Sequence, residues 1–279
     1  VEANIKSLVQ ACQINDIPYQ FIDNHQNYMI IADKHHFHHN RTPFNNQSMA
    51  QVCKDKKHQY ELLKNKVNMP KTMDFLDYNV KKKYQTYVTY KCLDDIIEQI
   101  ENNFSYPLVI KKNKGALGIH VFLCQNQDEA RVAINTVFDK SLPEYDYVVL
   151  AQEFIKTKKE IRVVFYDGKA RLSYERYFGD VKFGARYWEG LNGKTIPLLD
   201  QTIINKATEV FRQAVTLPGL SYVGLDIIID ENDNFFLIEL NSGPKFNNYI
   251  FNHGDNAVVA MYSEILKDYL KDECFEYVD

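Results

Sequence analysis

Residues 223–245, VGLDIIIDENDNFFLIELNSGPK, put oxygen-bearing side chains where apolar neighbours make them costly. Asp226 interrupts the run Val223, Leu225, Ile227, Ile228, Ile229, and Glu239 follows Phe235, Phe236, Leu237 and Ile238. A carboxylate buried in such a strand loses its hydration and needs a partner, for which a metal ion is the economical choice. The stretch reads as two strands joined by a turn at 230–234. Alternate residues of a strand share a face, so Glu239 and Asn241 point the same way, and Asp226 can lie opposite them in a hairpin. Oxygen ligands converging from paired strands suit a hard cation, and Mg²⁺ held by few protein groups usually arrives with phosphates. That is nucleotide chemistry.

Further groups fit the same chemistry. In LVIKKNKGALGIHV (108–121), Lys111 closes a strand, where its ammonium can meet a phosphate as a point charge. Gly115 and Gly118 let backbone amides approach anionic oxygens, although an ordinary glycine hairpin loop has the same pattern. A strand follows this loop, which excludes both a P-loop and a dinucleotide fingerprint. Lys54-Asp55-Lys56 opens a helix, where a basic run is ordinarily a solvated face. VVLAQEFI (148–155) is an extended crossover whose backbone at Gln152, Glu153, Phe154 and Ile155 could pair with an adenine edge. Glu160 could accept from ribose hydroxyls. Within HHFHH (35–39), His36 and His38 share a face in a strand, a pattern that can hold a transition metal when a Cys or acidic partner joins it.

Periodicity supplies the elements that would position these groups. Ile5, Leu8, Val9 and Cys12 mark a helix over 4–14, followed by strands at 19–22 and 28–32 and a polar, irregular stretch to about 46. One helix is expected over 48–66, with Val52, Leu62 and Leu63 inward, leaving through Pro70. From about 88 the order is strand, helix (93–102), strand (108–112), glycine loop, strand (120–123), helix (127–138), strand (147–151). Strands at 160–166 and 171–177 form a hairpin around Asp167-Gly168. An amphipathic helix over 202–216 presents Ile203, Ala207, Val210, Phe211 and Ala214, and a last helix covers 256–270.

The 279 residues, 45% hydrophobic and 25% charged, have the composition of a globular protein with ample core. A net charge of −4 offers no global basic field for nucleic acid or an anionic membrane, and no apolar run is long enough to span one. The start at Val1 has no signal-peptide shape and suggests a trimmed chain. Cys12, Cys53, Cys92, Cys124 and Cys274 are scattered without CxxC spacing, which favours a reducing, cytoplasmic setting.

Taken in order, Lys56, Lys111 before the glycine loop, QEFI, Glu160, Arg162, Asp226 and Glu239-x-Asn241 resemble the ATP-grasp superfamily over about 53–250. The likeness looks closest to its carboxylate–amine ligases, such as glutathione synthetase, D-alanine–D-alanine ligase and glutamate-adding peptide ligases. It implies an α+β fold with a short N-terminal α/β lobe (1–52) and a connecting segment (53–80). A central lobe (81–151) and a C-terminal lobe (152–279) would then clamp ATP between them. It further implies that Lys56 and Lys111 hold ATP phosphates and that Gly115 and Gly118 form a closing lid. Gln152, Glu153, Phe154, Ile155 and Glu160 would hold the nucleoside. Asp226, Glu239 and Asn241 would bind two Mg²⁺ ions, or Mn²⁺ in their place. Arg162 or Arg176 would steady an acyl-phosphate, and Ser242, Gly243, Lys245 and Asn247 would face an amino-acid or peptide substrate. Lys182 and Arg186 lie in a second specificity stretch (178–189). Two points depart from the pattern: His120 stands where the lid commonly has a third glycine, and the N-terminal lobe is short, so a homo-oligomer or a partner chain could complete it. A small-molecule kinase and a non-catalytic nucleotide-binding module are the alternative readings.

Overall fold

The computed structural model describes residues 1–115, 118–177, 193–214 and 218–271. At the N-terminus, α1 (Ala3–Ile14) precedes an antiparallel sheet of β1 (Tyr19–Phe21), β2 (Tyr28–Ile31) and β3 (His35–His38). The irregular stretch expected before residue 46 therefore contains a strand. Its two central turn residues, Ala32 (φ 50°) and Asp33 (φ 56°), are both left-handed, the conformation of a tight hairpin without the usual Asn-Gly signature. In β3, Phe37 turns inward at 1% exposure while His36 and His38 face out. Ile5, Leu8 and Cys12 of α1 pack against Val258, Met261, Tyr262 and Ile265 of the last helix, α8 (Asn256–Tyr269).

The single helix expected over 48–66 is two, α2 (Gln47–Val52) and α3 (Lys56–Leu63). Asp55 breaks it: its backbone is extended and its carboxylate caps α3 by accepting from His58 N at 3.0 Å. Leu63 is buried as expected, whereas Leu62 is exposed and Val52 only half-buried, because each short helix turns its own face to the core. The segment leaving α3 becomes β4 (Thr72–Leu76). A 3₁₀ turn, Lys82–Tyr87, stands where a strand was expected near 88. Then come α4 (Leu93–Asn103), β5 (Leu108–Lys112), β6 (Val121–Cys124), α5 (Gln127–Val137) and β7 (Val148–Glu153). The middle sheet runs β4-β7-β5-β6, all antiparallel. One face packs Phe75, Leu108, Ile110, Val149 and Ala151 onto Ile96, Ile97 and Ile100 of α4 and Ala130, Ile134 and Val137 of α5. The opposite face carries Thr72, Lys111 and Gln152 among Val109, Val148 and Leu150.

The third sheet, ordered β10-β9-β8-β11-β12, contains β8 (Thr157–Tyr166), β9 (Lys169–Tyr177), β10 (Lys194–Pro197), β11 (Tyr222–Asp230) and β12 (Phe235–Asn241). Ile161, Val163, Phe165, Val223, Leu225 and Leu237 pack on Ala207, Phe211 and Ala214 of α6 (Gln201–Ala214), the amphipathic helix expected there. On the other face, Val164, Tyr166, Leu172, Tyr174 and Tyr222 join the core built with α1 and α8. A charged strip occupies the rest of that face. A short helix, α7 (Asn247–His253), follows β12 and takes Asn247 out of the loop expected there. No helix among the described residues is long and apolar enough to cross a membrane.

Candidate functional site

The charged strip grows directly from strand register. Asp226 of β11 stands opposite Glu239 of β12 on one side and Arg162 of β8 on the other, and Gly224 stands opposite Asn241. Two-residue spacing brings Glu160 onto the same face as Arg162, and Arg176 onto that of Tyr174. Arg162 grips Asp226 with both forks, Nε to Oδ1 and Nη2 to Oδ2, each at 2.6 Å. Arg176 reaches Glu160 at 2.7 Å and Asp226 at 3.0 Å. The partner expected for the buried Asp226 carboxylate was a metal ion, and in the structure two guanidiniums fill that role. Burial pushes the Asp226 pKa up, but Arg162 and Arg176 outweigh it and hold the carboxyl well below its ordinary range. The two arginines expected near the substrate are thus built into the floor of the site.

The connecting segment contributes a cation. Lys56, first residue of α3, extends its ammonium to Glu239 Oε2 at 3.1 Å and to the Gly115 carbonyl at 2.8 Å. The first-turn amides of α3 are already engaged: Lys56 N with Asn113 O (3.4 Å), Lys57 N with Asn113 Oδ1 (2.8 Å) and His58 N with Asp55. The Lys56 side chain, not the helix end, is what this helix offers an anion. Gln59 fixes its position, donating to Leu240 O (3.2 Å) and accepting from Leu240 N (2.6 Å), so α3 rides on β12. Gln59 and Asn113 were missed from sequence, although a glutamine four residues before the buried Leu63 is a signal that it faces inward.

Lys111 is 4% exposed and donates to Gln152 Oε1 at 2.8 Å, while Gln152 Nε2 donates to Thr72 Oγ1 at 2.8 Å. Gln152 was expected in a hinge; it and Glu153 instead lie within β7, and Phe154 and Ile155 make the link to β8. Gly115 (φ 145°) and Gly118 (φ 71°) take backbone shapes that favour glycine, and His120 (φ 53°) adopts the left-handed region where the resemblance calls for glycine.

Burial, with Lys56 adding to it, lowers the Lys111 pKa from 10.5 to about 7. The folded value lies below the unfolded one. Lys111 therefore makes stability rise with pH from about 7 to the ordinary lysine range, where only the unfolded chain keeps the proton. A phosphate beside Lys111 restores its charge. Nucleotide binding at about pH 8 should therefore take up a proton, read as a dependence of calorimetric enthalpy on buffer ionisation heat. Lys111→Met should abolish that dependence; a wild-type enthalpy independent of buffer would contradict this account of Lys111.

The loop after β12 is held by the N-terminal lobe. Asn241 Oδ1 accepts from Gly243 N at 3.1 Å, Asn40 Nδ2 donates to the Gly243 carbonyl, and Asn4 Nδ2 donates to the Pro244 carbonyl at 2.8 Å. A Cβ on Gly243 would lie 2.6 Å from Asn40 O, so glycine is required by the close approach. Lys245 pairs with Glu2 at 3.4 Å, and Ser242 lies beside Ala50 O. The histidines of β3 and its turn are engaged elsewhere: His36 with Tyr28 (2.7 Å), His35 with Tyr269 (3.0 Å) and His39 with Glu2 (3.2 Å). Among the described residues no group of three or more His, Cys, Asp and Glu could hold a metal ion. Lys182 and Arg186 lie outside the described residues.

Asp226, Glu239 and Asn241 nevertheless fit Mg²⁺ by chemistry, since all their donors are oxygens. Glu239 is the more exposed of the two carboxylates, its side chain 23% exposed against 5% for Asp226, and it pairs with Lys56. Asp226 already spends three contacts on guanidiniums, leaving about one lone pair of its carboxylate to share.

Three sheets that set Lys56 and Lys111 beside the charged strip suit an ATP-grasp protein. Residues 54–265 match the RimK-like ATP-grasp domain, and the chain belongs to that family. It is 27% identical over 190 residues to the coenzyme gamma-F420-2:alpha-L-glutamate ligase of Methanocaldococcus jannaschii, covering 66% of this chain and 55% of that protein. To the D-alanine–D-alanine ligase of Pelagibacter ubique it is 28% identical over 217 residues, 74% of this chain and 64% of the relative. The chain thus spans between about half and two thirds of these relatives' length. Its fold is similar to that of D-alanine–D-alanine ligase from Bacillus anthracis (TM-score 0.54, 19% identity, 81% of this chain and 69% of the other). It is likewise similar to N5-carboxyaminoimidazole synthase from Aspergillus clavatus, solved with ADP (TM-score 0.58, 17% identity, 81% and 54%).

Proposed function

We propose that the protein is an ATP-dependent carboxylate–amine ligase that joins an amino-acid or peptide carboxylate to an amine. The observation that carries this reading is the convergence of Lys56 on Glu239, beside the buried Lys111, so that phosphate-binding and metal-binding groups meet at one point. Relatives named as ligases of glutamate, D-alanine and α-aminoadipate support the substrate class. Lys56 and Lys111 hold the phosphates of ATP, and Glu160 takes the ribose. Asp226, Glu239 and Asn241 would hold Mg²⁺, which would supply neutralisation of phosphate charge. The substrate carboxylate attacks the γ-phosphorus, giving an acyl-phosphate and ADP; the amine then attacks the acyl carbon and inorganic phosphate leaves. Arg162 or Arg176 is the candidate to steady the acyl-phosphate, where a fixed cation is worth a few kcal/mol. The glycine lid rooted at Asn113 closes over the phosphates and keeps water from the acyl-phosphate.

Hydroxylamine tests the reading. With Mg·ATP and a donor acid found by phosphate release, it should capture the acyl-phosphate as a hydroxamate detectable by mass. ADP formation with a phosphorylated hydroxyl product and no hydroxamate would instead assign a kinase.

A further inference from the structure

Lys56 and Lys57 are neighbours that point to different places. Lys56 turns to Glu239, whereas Lys57 turns into a separate cavity of about 440 Å³ between α3, β4 and the segment after the 3₁₀ turn. Neither Lys56, Lys111, Glu160, Asp226 nor Glu239 lines it. Its volume falls in the range of about 300–1,000 Å³ typical of small-molecule sites. Inside, Lys57 Nζ and Asp74 Oδ2 form an ion pair at 2.6 Å, each side chain about a third exposed (38% and 32%). Tyr87, Tyr90 and Tyr147 supply aromatic walls.

The lining selects a ligand class. Asp55 and Asp74 oppose an anion, and Lys57 opposes a metal ion, with Asp55 already spent on capping α3. A wholly apolar molecule would strip water from these charges. A ligand carrying both charges close together matches the pair it displaces. We propose that this cavity binds a free α-amino acid as its zwitterion, ammonium on Asp74, carboxylate on Lys57, side chain against Tyr87 and Tyr90. Tyrosine faces also favour an ammonium.

The site is wired to the nucleotide cleft. Lys57 N donates to Asn113 Oδ1 at 2.8 Å, and the next residue, Lys114, donates its N–H to Asp146 Oδ2 at 2.6 Å, so the root of the glycine lid is tied to the cavity wall. Occupancy should change nucleotide affinity, and nucleotide should change amino-acid affinity by the same factor. The inference concerns binding and stands apart from turnover.

Calorimetry with free L-leucine, L-phenylalanine and L-glutamate tests it, their N-acetyl and carboxamide forms serving as one-charge controls. At least one free amino acid should bind saturably, and its controls about tenfold more weakly or worse. Asp74→Asn and Lys57→Met should each weaken binding about tenfold, and Leu76→Trp, which fills the cavity and leaves the ion pair, should abolish it. Lys56→Ala should weaken ADP binding and leave amino-acid binding in place. ADP binding by the cavity variants confirms that they are folded. Equal binding of the one-charge forms, binding that survives Leu76→Trp, or no saturation by any of the three up to about 10 mM would each overturn the proposal.

Discussion

Asp226→Ala is expected to destabilise the fold by about 3–5 kcal/mol, read by chemical denaturation, because it strands two buried guanidiniums. Arg162 then keeps only the more distant field of Glu239, and Arg176 keeps its contact with Glu160. Arg162→Met should cost a comparable amount by leaving Asp226 with Arg176 alone. The double variant should lose less than the sum of the singles, since residues of one network are not additive. The same pairing sets an acid limit: the Asp226 pKa is depressed in the fold, so its contribution is present above the ordinary carboxylate range. It is lost as pH falls through and below that range. A loss within experimental error for Asp226→Ala would mean that the ion pairs are not the strip's structural support.

Glu239→Gln should behave in the opposite way, nearly silent for stability and severe for function. Glu239 is partly exposed and pairs with Lys56 from an edge strand, so its loss costs the fold little. With Mg·ATP and a productive donor, phosphate release should fall at least about 100-fold, the scale of removing one charge-stabilising group. Metal-free ADP should bind at least as well, because Lys56 is released to its phosphates. Unchanged turnover would remove Glu239 from the metal site.

The contrast between these two carboxylates marks where sequence reading reaches its limit. Both interrupt apolar strands, and their types and order pointed to one acidic site and to the ATP-grasp fold. What separates them is cross-strand register: Asp226 lies on a central strand with Arg162 opposite, while Glu239 lies on the edge strand beside Lys56. Pairing across 64 residues leaves no local trace. The amphipathic helix α6 and the hairpin of β11 and β12 were legible because their periodicity is self-contained. The β2–β3 hairpin was not, since Ala32 and Asp33 adopt left-handed backbone without glycine or asparagine. The break between α2 and α3 was readable in principle, from Asp55 as a cap ahead of Lys56. Gln59 and Asn113 act through backbone groups of distant segments, which no spacing encodes.

If Lys56 meets phosphate and Glu239 meets metal as proposed, their contact would make the cleft a coincidence detector. At rest the two groups neutralise each other at 3.1 Å. A bare nucleotide draws Lys56 away and leaves Glu239 beside added negative charge, whereas a lone divalent ion takes Glu239 and leaves the ammonium without its partner. Only the metal–nucleotide complex supplies a counter-charge to both at once. The resting protein would thereby be buffered against free phosphate and free cation, with full occupancy reserved for the two arriving together.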